Sequence, residues 1–104
     1  MTEFSNVTVI KQANIYFDGN VTSRTVLFPD GSRKTLGILL PGDYEFSTDE
    51  KEIIELLSGS LEFLLDEKQG WQSVKAGETF EIPPQTRFKV KIKELTDYCC
   101  SYIS

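Results

Sequence analysis

Residues 41–59, Pro-Gly-Asp-Tyr-Glu-Phe-Ser-Thr-Asp-Glu-Lys-Glu-Ile-Ile-Glu-Leu-Leu-Ser-Gly, are the stretch on which the fold turns. Pro41-Gly42 is a turn signal, Asp43 to Ser47 reads as a short strand, and Thr48 to Lys51 is an acidic bend. Glu52 to Leu57 follows before a tight turn at Ser58-Gly59. Ile53, Ile54, Leu56 and Leu57 form two apolar pairs that imitate a helical turn. Only about seven residues separate the flanking turn signals, however, which is the length of a strand.

The same grammar extends in both directions. Upstream, Val21 to Phe28 is rich in β-branched residues, Pro29-Asp30-Gly31-Ser32 is a turn, and Arg33 to Leu40 returns as a strand. Asn14 to Asn20 is a turn-rich entry, and Val7 to Ile10 is an edge strand or arm. Downstream, strands are expected at Ser60 to Leu65, Trp71 to Val74, Thr79 to Ile82, Arg87 to Ile92 and Thr96 to Ile103. Pro83-Pro84-Gln85 is a stiff turn, since proline cannot donate to a central ladder. About ten short strands without a sustained helical period predict an all-β single domain over residues 1–104, a sandwich or barrel with no substantial helix.

Composition narrows the class. A chain of 104 residues with 39% hydrophobic residues has enough apolar material for one core. No apolar run approaches the ~18–20 residues that span a bilayer, so no membrane is expected as a partner. The N-terminus has no secretory pattern, and a cytoplasmic protein is expected. A net charge of −5 argues against nucleic acid. Lys89, Lys91 and Lys93 alternate, which places them on one solvated strand face.

Cys99 and Cys100 are adjacent, so a strand sends them to opposite faces, one buried and one exposed or at an interface. They do not make an extracellular disulfide framework. The chain has no histidine, which excludes a Ser-His-Asp triad, a Cys-His nucleophile and a histidine base. No dinucleotide fingerprint, glycine-rich phosphate loop or CxxC pair is present.

Two spacings resemble the cupin motifs. Glu52, six residues and Gly59 fit the end of the first; its histidine positions fall on Phe46 and Thr48. Gly77, five residues and Pro83 fit the second, with Phe88 where its histidine would stand. The resemblance implies a small jelly-roll β-barrel in which Gly77 to Phe88 answers residues 42–59 across the interior. Phenylalanine has no donor atom and threonine is a poor ligand, so no metal is expected.

A closer resemblance rests on N-x-Y-F-x-G-x-V-x-S at Asn14 to Ser23, TLGILLPGDYEFST at Thr35 to Thr48, Ser58-Gly59, AGETFEIP at Ala76 to Pro83 and TDYCCSY at Thr96 to Tyr102. These motifs, in this order, resemble the small cupin-like pyrimidine/purine nucleoside phosphorylases; residues 1–12 lie outside the likeness. It implies a homodimeric, metal-free pentosyltransferase with no cofactor, using inorganic phosphate as co-substrate. Such an enzyme would cleave purine and pyrimidine nucleosides to free base and (deoxy)ribose 1-phosphate.

The residues can be matched to that chemistry. Alternation carries Tyr44, Phe46, Thr48, Glu52, Ile54 and Leu56 inward, with Phe88 facing them. Glu52 and Thr48 are the expected catalytic residues: the carboxylate holds ribose hydroxyls and offsets developing positive charge, and the hydroxyl donates to sugar or phosphate. Tyr44, Phe46, Ser47, Phe88 and Tyr98 are the expected substrate contacts, with Phe46 and Phe88 sandwiching the base. Arg33 and Arg87 are the phosphate candidates, since guanidinium suits bidentate oxyanion binding. Each has a plainer reading, as an exposed acid, a strand-end cap, core aromatics or surface ion pairs. A glycoside hydrolase and a non-catalytic cupin that senses a nucleoside or sugar remain open alternatives.

Overall fold

The computed structural model describes residues 2–103. Eleven strands follow one another: β1 (Thr8–Val9), β2 (Asn14–Tyr16), β3 (Val21–Leu27), β4 (Arg33–Leu39), β5 (Gly42–Ser47), β6 (Lys51–Ser58), β7 (Ser60–Leu64), β8 (Gln72–Lys75), β9 (Thr79–Ile82), β10 (Arg87–Ile92) and β11 (Thr96–Ile103). They form two antiparallel sheets packed face to face as a jelly-roll sandwich. The larger has the order β1-β3-β4-β11-β6-β9, with β2 also on β3; the smaller runs β5-β10-β7-β8.

The expected strands form within a residue or two of their predicted bounds. The exception is Asn14 to Asn20, where β2 pairs with β3 and then passes into a 3-10 turn at Phe17–Gly19. Phe17 and Asp18 both have positive φ there (51° and 56°). The turn sets the Phe17 ring against Tyr44 and Phe46 of the opposite sheet, with centroids 4.9 and 5.6 Å apart. The stacked pair Phe63 and Phe80, 4.5 Å apart, joins the sheets elsewhere in the core. Leu56 and Ile82 are fully buried between them.

The two motif-bearing stretches do not face each other across the interior. They pair edge to edge in both sheets: β5 with β10, where Phe46 and Phe88 are Cα partners, and β6 with β9, where Glu52 partners Ile82. Each stretch crosses from one sheet to the other, and the two crossings lie side by side.

The cysteines do lie on opposite faces of β11, but both are buried. Cys100 points inward. Cys99 points outward, where its short side chain is shaded by longer cross-strand neighbours, Leu36 and Glu55.

Candidate functional site

Inward-facing residues of the larger sheet form in-register rows running across its strands. One row passes from Asn14 through Ser23 and Gly37 to Tyr98. The next joins Thr25, Thr35, Cys100 and Ile54, and a third sets Tyr102 beside Glu52 and Ile82. Facing them, the smaller sheet contributes Phe46, Leu61, Phe88 and Val90.

Between these walls lies a cavity of about 180 Å³. Its polar groups are concentrated on the larger sheet, where Ser23, Glu52, Tyr98, Cys100 and Tyr102 are set among Val21, Leu39, Ile54 and Phe80, whereas the smaller sheet is apolar except for Ser47. The exposed Tyr16 and Ser47 also line it, which places its mouth between β2 and the end of β5. An amphipathic ligand with hydroxyls on one side and a flat apolar ring on the other matches this division.

Glu52 is half-buried on the polar wall. Burial is the largest influence on its carboxyl and pushes its pKa up, while the Cys100 thiol and the Arg33 charge pull it back down. Tyr102 is pushed up to about 12, chiefly by burial, and its hydroxyl shares a 3.2 Å hydrogen bond with Thr35 Oγ1. Burial likewise raises Cys100, so its thiol is a neutral wall group rather than a nucleophile.

Arg33 sits at the end of β4 with its guanidinium 3.8 Å from the centroid of the Tyr102 ring. Its Nη2 is 3.2 Å from Glu50 Oε1. Arg33 itself does not line the cavity; it covers the Tyr102 ring, which does.

Other expected site residues are placed differently. Thr48 is buried, but its hydroxyl donates to the Pro83 carbonyl at 2.7 Å and accepts from the Thr86 amide at 3.1 Å. It pins the Pro83-Pro84-Gln85 turn to the end of β5 and does not line the cavity. Tyr44 is buried against Phe17 and Phe46, and its hydroxyl donates to the Leu40 carbonyl at 2.7 Å, bracing the turn before β5. Arg87 precedes the inward Phe88 and therefore alternates outward, exposed opposite Ser47.

Phe46 and Phe88 both line the cavity, but side by side on one wall, 5.6 Å apart and tilted by 33°. They offer one shared face to a ring rather than a clamp. The sequence reading missed Tyr16, Ser23, Cys100 and Tyr102. Extending the alternation inward from Tyr98 would have found the last two, and pairing β3 with β4 would have found Ser23.

Among the described residues, no group of three His, Cys, Asp or Glu side chains is placed to hold a metal ion. The donor set explains this: two of the three motif positions that could carry imidazole are phenylalanine, and the third spends its hydroxyl on backbone.

Comparison with known proteins completes the picture. Residues 11–102 match the family described as "Pyrimidine/purine nucleoside phosphorylase". The chain belongs to that family. A member named pyrimidine/purine nucleoside phosphorylase, from Wolinella succinogenes, is 57% identical over 103 residues, covering 99% of this chain and 98% of its own. That likeness takes in the N-terminal arm that the motifs left out. A crystal structure of an Acinetobacter protein of unknown function superposes with a TM-score of 0.92 at 37% identity, covering 97% of this chain and 98% of the other. A cupin-2 domain protein from Shewanella frigidimarina, at 18% identity and a TM-score of 0.66 over 79% of each chain, shows that the fold is cupin-like.

Proposed function

We propose that the protein is a broad-specificity nucleoside phosphorylase, a pentosyltransferase that cleaves purine and pyrimidine nucleosides with phosphate to free base and (deoxy)ribose 1-phosphate. Family membership supports the reaction class. The divided cavity is the observation in the molecule that carries it: carboxyl and hydroxyl groups opposite a phenylalanine wall suit a sugar joined to a flat base.

Phosphorolysis places cation-like character on the sugar as the base departs and phosphate arrives. Glu52, half-buried beside the Phe46–Phe88 wall, is positioned to accept from ribose hydroxyls and, when ionised, to offset that charge. Phe46 and Phe88 cover one face of the base, and Ser47 lies at the mouth. Arg33 is the phosphate candidate: its guanidinium lies over the ring of Tyr102, a residue of the cavity wall, and phosphate competes there with Glu50. An apolar wall tolerates purines and pyrimidines alike because every base has a face that stacks. No step requires a metal or an organic cofactor. A homodimer is part of the same reading.

Uridine and inosine incubated with the pure protein, with and without phosphate, and resolved by chromatography test the proposal. Uracil and hypoxanthine appearing only with phosphate, alongside the sugar 1-phosphate, are expected. Base and free ribose released without phosphate would make the protein a hydrolase. A nucleoside that raises the melting temperature without being cleaved would make it a binding module.

A further inference from the structure

The row Asn14–Ser23–Gly37–Tyr98 runs in register across three strand pairs beside the cavity and takes no part in the reaction steps proposed above. Tyr98 on β11 and Ser23 on β3 are separated by one strand, β4, whose residue in that row is Gly37. A Cβ at Gly37 would lie 2.7 Å from Tyr98 Oη and 2.8 Å from its Cε1. The phenol ring therefore lies across the bare glycine, which carries its hydroxyl end towards Ser23, the partner of Gly37 on β3. Asn14 stands behind Ser23 and donates from Nδ2 to Ser23 Oγ at 3.2 Å and to Thr25 Oγ1 at 3.1 Å.

These contacts have a direction. An amide N–H can only donate, so Ser23 Oγ is the acceptor for Asn14. The Ser23 proton is then free to point at the Tyr98 oxygen. A Tyr98 hydroxyl that accepts this proton keeps its own for whatever occupies the cavity that both residues line.

We propose that Asn14 and Ser23 orient the Tyr98 hydroxyl as a fixed hydrogen-bond donor to the departing base of a nucleoside. The inference rests on the nucleoside-cleaving reading above. The leaving base gathers negative charge as the C1′–N bond breaks and its electron pair passes to the base. In pyrimidines O2, and in purines N3, is an acceptor one atom from the breaking bond, so one donor serves both classes. A phosphate oxygen forms the new bond to C1′. The phenol proton stays on Tyr98, and the base anion takes up, through water, the proton lost as the sugar phosphate ionises. Burial holds the phenol well above its ordinary range, so it remains a donor at every working pH.

The test compares uridine with 5-fluorouridine, whose base leaves more readily, at saturating phosphate. In Tyr98→Phe, kcat for uridine should fall about 10²-fold, the usual cost of removing one such donor, and kcat for 5-fluorouridine by clearly less. Ser23→Ala should show the same bias more weakly, and Ser23→Thr, which restores a hydroxyl, should return towards the wild type. Equal losses for both substrates, or no loss, would overturn the assignment. Calorimetry with uracil separates this inference from phosphorolysis itself. If the wild type binds uracil without turnover, phosphorolysis fails, while weaker uracil binding by Tyr98→Phe upholds the base-facing donor and unchanged binding overturns it. A wild type with neither turnover nor uracil binding overturns both.

Discussion

Burial pushes the Glu52 carboxyl above its ordinary value of 4.5, against opposing pulls from Cys100 and Arg33. The folded state then holds this proton more tightly than the unfolded chain does. Its stabilising contribution is complete below pH 4.5 and declines as pH rises through the raised value. Glu52→Gln removes a group whose charge is costly where it sits. The variant should melt a few degrees higher than the wild type at pH 7–8, and that gain should shrink towards pH 4. Its kcat for nucleoside phosphorolysis should fall about 10²-fold, because the group that offsets developing positive charge is gone. Scanning calorimetry at the two pH values checks the first part; a melting temperature lowered equally at both would refute it. Glu52 was legible from the spacing to Gly59, because that spacing fixes an inward register. Its tuning was not, since Cys100 and Arg33 reach it from strands distant in sequence.

At the scale of elements, alternation within one strand was readable and the partner of each strand was not. Alternation put Tyr44, Phe46 and Glu52 inside, and all three are there. The same alternation, counted one residue back from the inward Phe88, turns the phosphate candidate Arg87 outward. What it lacked was that β5 lies beside β10, which turns an expected sandwich of Phe46 and Phe88 into one continuous wall. The same pairing spends the Thr48 hydroxyl on the turn that leads into β10. Thr48→Val keeps the volume but leaves the Pro83 carbonyl and Thr86 amide without that partner, which costs about 1–3 kcal/mol. In a domain of this size each kcal/mol lowers Tm by about 4–8 °C. The loss should appear in thermal melts, while kcat per folded molecule stays within about threefold of the wild type. A folded Thr48→Val protein with full stability and no activity would return the hydroxyl to the chemistry.

At the scale of the molecule, the outer face of the larger sheet breaks the pattern of an antiparallel sheet open to water. Such a face should be polar, yet outward positions on three central strands carry Leu36 and Ile38 on β4, Ile53 on β6 and Cys99 on β11. Leu36 is 36% exposed, and the neighbouring Leu57 is 48% exposed. Arg24 and Lys34 lie on the β3–β4 side of this patch, and Glu55 lies on the β6–β9 side with Glu81, which is paired with Lys51 at 2.8 Å. A two-fold axis through the patch can set the basic side of one copy on the acidic side of the other. That complementarity lets two chains of net charge −5 meet without like-charge opposition. We propose this face as the surface through which the homodimer would form. Light scattering after size exclusion should give about twice the 11.8 kDa chain mass for the wild type. Leu36→Glu places a charge in the centre of the patch but in water in the monomer, so it should fold and elute at the single-chain mass. A monomeric wild type would remove the dimer, and a Leu36→Glu protein that stays dimeric would move the interface to another surface. The cavity opens beside Tyr16 and Ser47, away from this patch, so monomeric Leu36→Glu should keep the phosphate-dependent cleavage of uridine to within severalfold. A complete loss would mean that the second copy completes the site.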